Sequence, residues 1–342
     1  MAHALVTGGT GFVGGHVVRA LRAAGHDVTC LVRATSRRED LAPLGVRFVE
    51  GDATDPTSVA AALARAGQVD WVVHLAALLK APWRSDFVAA NAAGAAAVVG
   101  ACAGRDAPPV CVVVSSLAAA GPAPFGRPRD ERDPPRPASR YGRAKLAAEE
   151  AARALAGRAP VTIVRPPAVL GGGDRTTLPV FRLAARGWVV APTRRRRPTS
   201  FVHAADLAAL LLATAARGER LSAPAEVAGA ALGAGVYFAA ADEPLDFVGL
   251  GRAVARALGG RRPRVVRLPE AFARLAAAGG ELAGRLRDRP SFLNLDKARE
   301  LAAGAWWCSA AKARATLGWT HAPLERRLAE TAADYRALGL LP

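Results

Sequence analysis

Lysine is scarce in this chain. Of 46 basic residues only Lys80, Lys145, Lys297 and Lys312 are lysines, leaving 42 arginines against 29 acids and a net charge of +17. Such an excess directs attention to nucleic acid, a membrane surface or an anionic substrate. The arginines are, however, spread along the chain as solvated helix faces require, and they accompany heavy use of Ala, Gly and Pro, as a GC-rich coding bias would produce. No helix-turn-helix or zinc-finger pattern stands beside them, so no nucleic-acid partner is expected. The one true cluster, Arg194 to Arg197 in PTRRRRPTS, reads as a solvated loop, with contact to an anionic ligand as the alternative.

Cysteine is also rare. Cys30, Cys102, Cys111 and Cys308 lack paired ligand spacing, so neither a metal centre nor a disulfide framework is expected. Free thiols imply a reducing compartment. The N-terminus runs directly into an apolar strand pattern and shows no secretory leader, which makes a cytoplasmic location the expectation. No run reaches the roughly 20 strongly apolar residues of a membrane span. The longest candidate, 225–241, is mostly Ala and Gly and contains Glu226. Residues 268–286 form an amphipathic stretch whose ordinary reading is packing, with peripheral membrane contact as the alternative. The six tryptophans are scattered and no internal period suggests a repeat fold.

What the chain does have is a strand-helix rhythm. HALVTGG, DVTCLVR, VRFVEGD, DWVVHLAA, VCVVVSS and VTIVRPP read as six buried strands, most of them separated by helical spacing. Such alternation implies a parallel sheet with right-handed crossovers, an α/β doubly wound dinucleotide fold. After Pro167 the rhythm breaks. TSFVHAADLAALLLATA returns to a strand end and a helix, and VYFAAAD reads as one more strand of the first sheet. The expected division is a Rossmann domain of residues 1–167 plus about 198–241. A smaller, discontinuous, mainly helical lobe of about 168–197 plus 242–342 covers the sheet's carboxyl edge.

TGGTGFVG places Gly8, Gly11 and Gly14 between the first strand and a helix. In that context the first glycine permits the turn, the second admits a pyrophosphate to backbone N–H groups, and the third lets helix and strand pack closely. Phe12 and Val13 lie within this loop. An NAD site usually places an acid about 20 residues beyond the glycines, at the end of the second strand. The sequence there is LVRATSRR, with Arg33, Arg37 and Arg38 and no acid. Arginine accepts a 2′-phosphate in a forked, charge-assisted manner, so NADP(H) is expected over NAD(H). In GDATD, Asp52 with the Ala53 amide is a candidate for the adenine edge, and Asp55 reads as a helix cap.

SRYGRAK sets Tyr141 and Lys145 on one helix face, one turn apart. An adjacent ammonium is expected to lower the phenol pKa and make Tyr141 a general acid. Ser115 and Ser116 close the fifth strand, where a hydroxyl can orient a substrate oxygen, although a turn or helix-cap role is the structural alternative. Asn91, in the helix after the fourth strand, is a candidate to order a water near Lys145. His74 reads as structural, and His203 as a brace for Asp206 and its helix.

In chain order, TGGTGFVG, GDATD, HLAA, VVVSS, YGRAK, VRPPAVLG and FVHAADLA resemble an extended short-chain dehydrogenase/reductase of the NAD-dependent epimerase/dehydratase family. The likeness runs over nearly the whole chain. It implies a Rossmann fold and a Ser116, Tyr141, Lys145 set with Asn91 as fourth member. It also implies cofactor contacts at Leu75, Ala76, Ala77 and Pro166, and a homodimer. The Leu-Val-Arg ending of the second strand is similar to dihydroflavonol-reductase-like and 3β-hydroxysteroid-dehydrogenase-like members. SSLAAAGP lacks the tyrosine of sugar-nucleotide enzymes. The expected activity is hydride transfer between NADP(H) and a ketone or secondary alcohol. A sugar-nucleotide epimerase or dehydratase holding NAD is the alternative, and a non-catalytic NAD(P)-sensing protein the remote one.

Overall fold

The computed structural model describes residues 1–77, 84–222, 232–286 and 295–341, with the backbone alone for 84–86, 273–274 and 282–286. The part of the apolar stretch 225–241 up to residue 231 lies outside the described residues.

Seven strands build the central parallel sheet: β1 (His3–Thr7), β2 (Asp27–Val32), β3 (Arg47–Glu50), β4 (Trp71–His74), β5 (Val110–Val114), β6 (Val161–Arg165) and β10 (Val236–Phe238), in the order 10-6-5-4-1-2-3. The order reverses on either side of β1, the crevice where open α/β sheets bind ligands. Apart from the edge strand β3, the strands are apolar on both faces because helices cover both. Along β1, Ala4 and Val6 join the cluster with α1 (Phe12–Ala23) and α7 (Ala204–Arg217). Leu5 joins the opposite cluster with α2 (Pro56–Ala66) and α3 (Arg84–Ala103). VYFAAAD does rejoin the sheet, since Val236 to Phe238 pair in parallel with Ile163 to Arg165.

Beyond β6 the structure holds more strand than the sequence pattern suggests. β7 (Ala168–Leu170) pairs with β9 (Phe201–His203), and β8 (Trp188–Ala191) with β11 (Arg264–Arg267). Each has only three or four residues, too short for a two-residue period to stand out beside arginine loops. A third core cluster of Leu178, Phe181, Val254, Leu328, Ala332 and Tyr335 packs α6 (Leu178–Ala185), α8 (Phe247–Ala257) and α12 (Leu324–Ala337) together. Asp206 on α7 is bound by Arg327 of α12 in a bidentate pair, one contact being 2.9 Å, which ties this cluster to the sheet. All four cysteines are free and buried. No helix among the described residues is long and apolar enough to cross a membrane.

Candidate active site

Every candidate cofactor group follows the carboxyl end of a sheet strand. Gly8 sits after β1 at φ 72°, a left-handed conformation that glycine adopts without strain, and a Cβ there would lie 2.7 Å from the Ala76 amide nitrogen. A Cβ at Gly14 would lie 2.1 Å from the Gly8 carbonyl oxygen, so the helix packs onto the loop through bare backbone. Gly11 caps α1 without any side-chain hydrogen bond, and no acid occupies the first turn. By contrast α2 is capped by Asp55 and α8 by Asp246. The open N–H groups at the start of α1 therefore suit a phosphate, as a dinucleotide requires. Phe12 packs edge-on against His16, and Val13 is half-buried beside it. The Leu75 amide donates to the Thr7 carbonyl and the Ala76 amide to the Thr7 hydroxyl, which holds Leu75, Ala76 and Ala77 against the glycine loop.

At the end of β2 the three arginines separate. Arg38 pairs with Glu50 and lies over the Phe48 ring, and Arg37 lies 3.8 Å from Glu39. Arg33 is exposed and has no acidic partner among the described residues. Asp52 accepts from both the amide and hydroxyl of Thr54 at 2.8 Å, while Ala53 lies half-buried against the core.

α5 (Arg140–Arg153) carries Tyr141 and Lys145. The Ser116 hydroxyl lies near enough to the Tyr141 hydroxyl to favour its ionised form. Ser116 also caps the short helix α4 (Leu117–Ala120), accepting from the Ala118 amide at 3.1 Å. The cap and the candidate site are thus the same residue. The Leu117 amide donates to the Pro166 carbonyl at 2.8 Å, fixing this turn to the end of β6. Lys145 Nζ donates to the Val114 carbonyl at 2.9 Å.

The electrostatics correct one expectation. Tyr141 is not acidified by Lys145. Burial pushes its hydroxyl up to about 12, the neighbouring Ser116 hydroxyl lowers it in part, and the Glu300 charge raises it again. Burial also pushes Lys145 down to about 8, against the raising effect of Glu149. Desolvation outweighs the neighbouring charge here because both groups leave water. His74 is structural: its Nδ1 meets the Thr7 hydroxyl at 2.8 Å, and burial, with the Lys145 charge, holds it near 3. Asn91 is buried, and its Nδ2 donates to the Phe87 carbonyl at 2.8 Å. Phe87 in turn packs on the Tyr141 ring, centroids 6.5 Å apart. His203 caps α7 through the Ala205 amide, whereas Asp206 is braced by Arg327 rather than by His203.

Several supporting residues were not singled out by sequence patterns. Glu149, one turn beyond Lys145, accepts from Ser115 at 2.5 Å and from Arg165 at 2.8 and 2.6 Å, forming a buried ion pair behind the site. Gly142 lets α5 meet α4, since a Cβ there would lie 2.3 Å from the Ala118 carbonyl oxygen. The start of α5 is held from α10 (Leu295–Ala303). Asp296 accepts from the Arg140 and Tyr141 amides, and Glu300 accepts from the Ser139 hydroxyl at 2.6 Å. Only the spacing of Glu149 from Lys145 was a readable signal. The α10 acids lie more than 150 residues away in sequence.

A strand-glycine-helix phosphate cradle and a Ser-Tyr-Lys cluster on one sheet edge have a counterpart in a known family, whose profile matches residues 4–227. The chain belongs to the NAD dependent epimerase/dehydratase family. It is 32% identical to a protein named ceramide reductase from Caulobacter vibrioides, over 98% of this chain and 95% of that protein. It is 43% identical to a 2'-dehydrokanamycin reductase from Streptomyces kanamyceticus, but over only 44% of this chain and 37% of that protein. Among solved structures, a UDP-glucose 4-epimerase from Thermus thermophilus in complex with NAD has the same fold. Its TM-score is 0.71, with 23% identity over 98% of this chain and 99% of that one. Membership in the epimerase/dehydratase family makes the chain an NAD(P)-dependent enzyme of the short-chain dehydrogenase/reductase type.

Proposed function

We propose that the protein reduces a ketone to a secondary alcohol with NADPH, or runs the reverse oxidation with NADP+. The observation that carries this reading is the placement of Ser116, at the α4 cap, beside Tyr141 of the packed helix α5, with Lys145 one turn further along that helix. Gly8, Gly11 and Gly14 hold the dinucleotide, with Arg33 on its 2′-phosphate. The bound cofactor supplies the hydride that adds to the carbonyl carbon. Ser116 orients the carbonyl oxygen, and Tyr141 transfers its proton to that oxygen as charge develops there. A phenol held near 12 keeps its proton at neutral pH, so it enters the reduction as the acid. Lys145, charged below about 8, then stabilises the phenolate that the transfer leaves behind.

The relative matched over nearly its full length is named a ceramide reductase, which supports a lipid-like substrate; a ketone whose reduction yields a ceramide-like alcohol is the first compound to test. The reading carries with it the two-lobe division of the chain and a cytoplasmic homodimer. A second reading, a sugar-nucleotide epimerase, draws support from the exposed side chains of Arg194 and Arg196, which suit a diphosphate. It predicts NAD retained through purification and no net cofactor consumption.

The test is Tyr141→Phe. Turnover is expected to fall by about 10²-fold or more, with NADPH affinity nearly unchanged. A fully active variant would remove Tyr141 as the proton donor.

A further inference from the structure

Among the described residues, the β8 and β11 ladder has one face packed against the protein and one face partly exposed. Val189 and Ala191 turn inward, Val189 packing against α8 at Gly251. The register sets Arg264 opposite Trp188 and Val266 opposite Val190, and these four are exposed together. The Arg264 guanidinium lies over the Trp188 ring, 5.6 Å from its centroid. Two residues beyond β11 the chain enters α9 (Glu270–Leu286), whose first turns expose Phe272 and Leu275 while Ala277 is fully buried. Isolated exposed apolar residues are ordinary on a protein surface. Here an aromatic, two valines, a phenylalanine and a leucine follow one another on adjoining elements of one lobe.

The segments that build this surface are strongly basic. Residues 186–197 and 259–269 contain nine arginines and no acid. The first acid met is Glu270, and it is already engaged by Arg195 and Arg197. Arg261, Arg262 and Arg267 are exposed, with no acidic partner among the described residues. Apolar side chains amid an excess of guanidiniums match a bilayer carrying anionic headgroups: the arginines meet phosphates while Trp188 and Phe272 enter the acyl boundary.

We propose that this lobe docks on the surface of an anionic lipid bilayer through Trp188, Val190, Val266, Phe272 and Leu275. The same lobe reaches the candidate site by a short route. Arg197, paired to Glu270 at the start of α9, donates to the Leu301 carbonyl of α10. α10 supplies Asp296 and Glu300 to the start of the Tyr141 helix. Docking would therefore place the lobe that holds this helix beside the membrane. The proposal concerns binding and stands whether or not the protein reduces ketones, because it is read without turnover.

The experiment is co-sedimentation of the full chain with phosphatidylcholine vesicles, with and without added phosphatidylglycerol, across a salt series. The expected result is binding to the anionic vesicles, weakened by salt, with little binding to phosphatidylcholine alone. The variant Trp188→Ser/Phe272→Ser/Leu275→Ser keeps every charge and is expected to bind at least about tenfold more weakly. Unchanged thermal unfolding and NADPH affinity identify that variant as folded. A charge variant, Arg261→Glu/Arg262→Glu, is expected to lose most of the salt-sensitive attraction. Absence of vesicle binding at low salt overturns the proposal. Equal binding of wild type and the triple serine variant also overturns it, since charge alone would then account for adhesion. Binding to a short RNA without binding to vesicles overturns it in favour of a nucleic-acid partner.

Discussion

Replacing Gly142 by alanine adds one methyl group at the contact that sets the spacing of the candidate site. That carbon would lie 2.3 Å from the Ala118 carbonyl oxygen and 3.1 Å from Pro137 Cβ. An ordinary carbon-oxygen contact needs about 3.3 Å, so α5 must retreat from α4 by about 1 Å. The obstructing atom is backbone, anchored by the Ser116 cap and by the Leu117 to Pro166 hydrogen bond, so it does not swing aside like a side-chain tip. Two terms compete in stability. Overpacking costs about 1–3 kcal/mol. Alanine's helix propensity returns about 1 kcal/mol. The net is a loss of about 0–2 kcal/mol, a melting temperature lower by a few degrees at most. Activity is the more sensitive readout, because Tyr141 rides on α5 and Ser116 on the α4 cap. A displacement of about 1 Å is expected to lower kcat/KM by about 10²-fold. NADPH affinity should change little, since the glycine loop belongs to β1 and α1. Thermal unfolding, fluorescence titration with NADPH and ketone turnover report the three quantities separately. A Gly142→Ala protein that melts higher than wild type and keeps kcat/KM within about a factor of two would refute the reasoning.

Further outcomes follow from the same geometry. Lys145 is held from its ordinary value near 10.5 down to about 8, a penalty of roughly 3 kcal/mol on its charged form. Between pH 8 and 10.5 the unfolded chain binds the proton that the folded chain has lost, so this penalty is complete below pH 8 and fades as pH rises to 10.5. Lys145→Met, less about 1 kcal/mol for the lost bond to Val114, should stabilise the cofactor-free protein by about 1–2 kcal/mol at pH 7 and not at all above pH 10.5, as measured by denaturant unfolding. Turnover of the same variant should nearly vanish. In wild type, kcat/KM for reduction should fall above about pH 8 with Lys145 rather than near 12 with Tyr141, and a profile flat to pH 10 would contradict this assignment. Arg33→Ala should weaken NADP+ binding by about 10- to 100-fold while leaving NAD+ binding nearly unchanged, measured by parallel titrations. Glu149→Gln leaves Arg165 buried against a neutral partner and should destabilise the fold by about 3–5 kcal/mol, seen as an early denaturation midpoint.

The parallel sheet was readable because most of its strands are apolar on both faces, and β1, β2, β3, β5 and β6 run into glycine, arginine or serine, where a ligand-binding edge needs small or polar groups. The glycine loop was readable for the same reason: Gly8 and Gly14 answer steric demands that no other residue meets. Tyr141 and Lys145 were legible as a helical pair, but their electrostatics were not. Spacing predicts attraction between charges and says nothing about desolvation, which dominates both groups. Glu149 and Arg165 lie on separate elements and meet as a buried pair because α5 lies on β6. Asp296 accepts from the first amides of α5 and Glu300 from its capping Ser139 hydroxyl, across more than 150 residues, a relation no local pattern encodes.

The central claim is that the cofactor's hydride reaches a ketone carbon while Tyr141 supplies the proton. NADPH deuterated at nicotinamide C4 and incubated with a ceramide-related ketone tests it most directly. The account predicts deuterium on the carbinol carbon of the product with wild type, and its loss with Tyr141→Phe although NADPH still binds. Protein that retains NAD through purification, leaves the deuterated NADPH unconsumed and inverts a sugar-nucleotide carbon instead would contradict it.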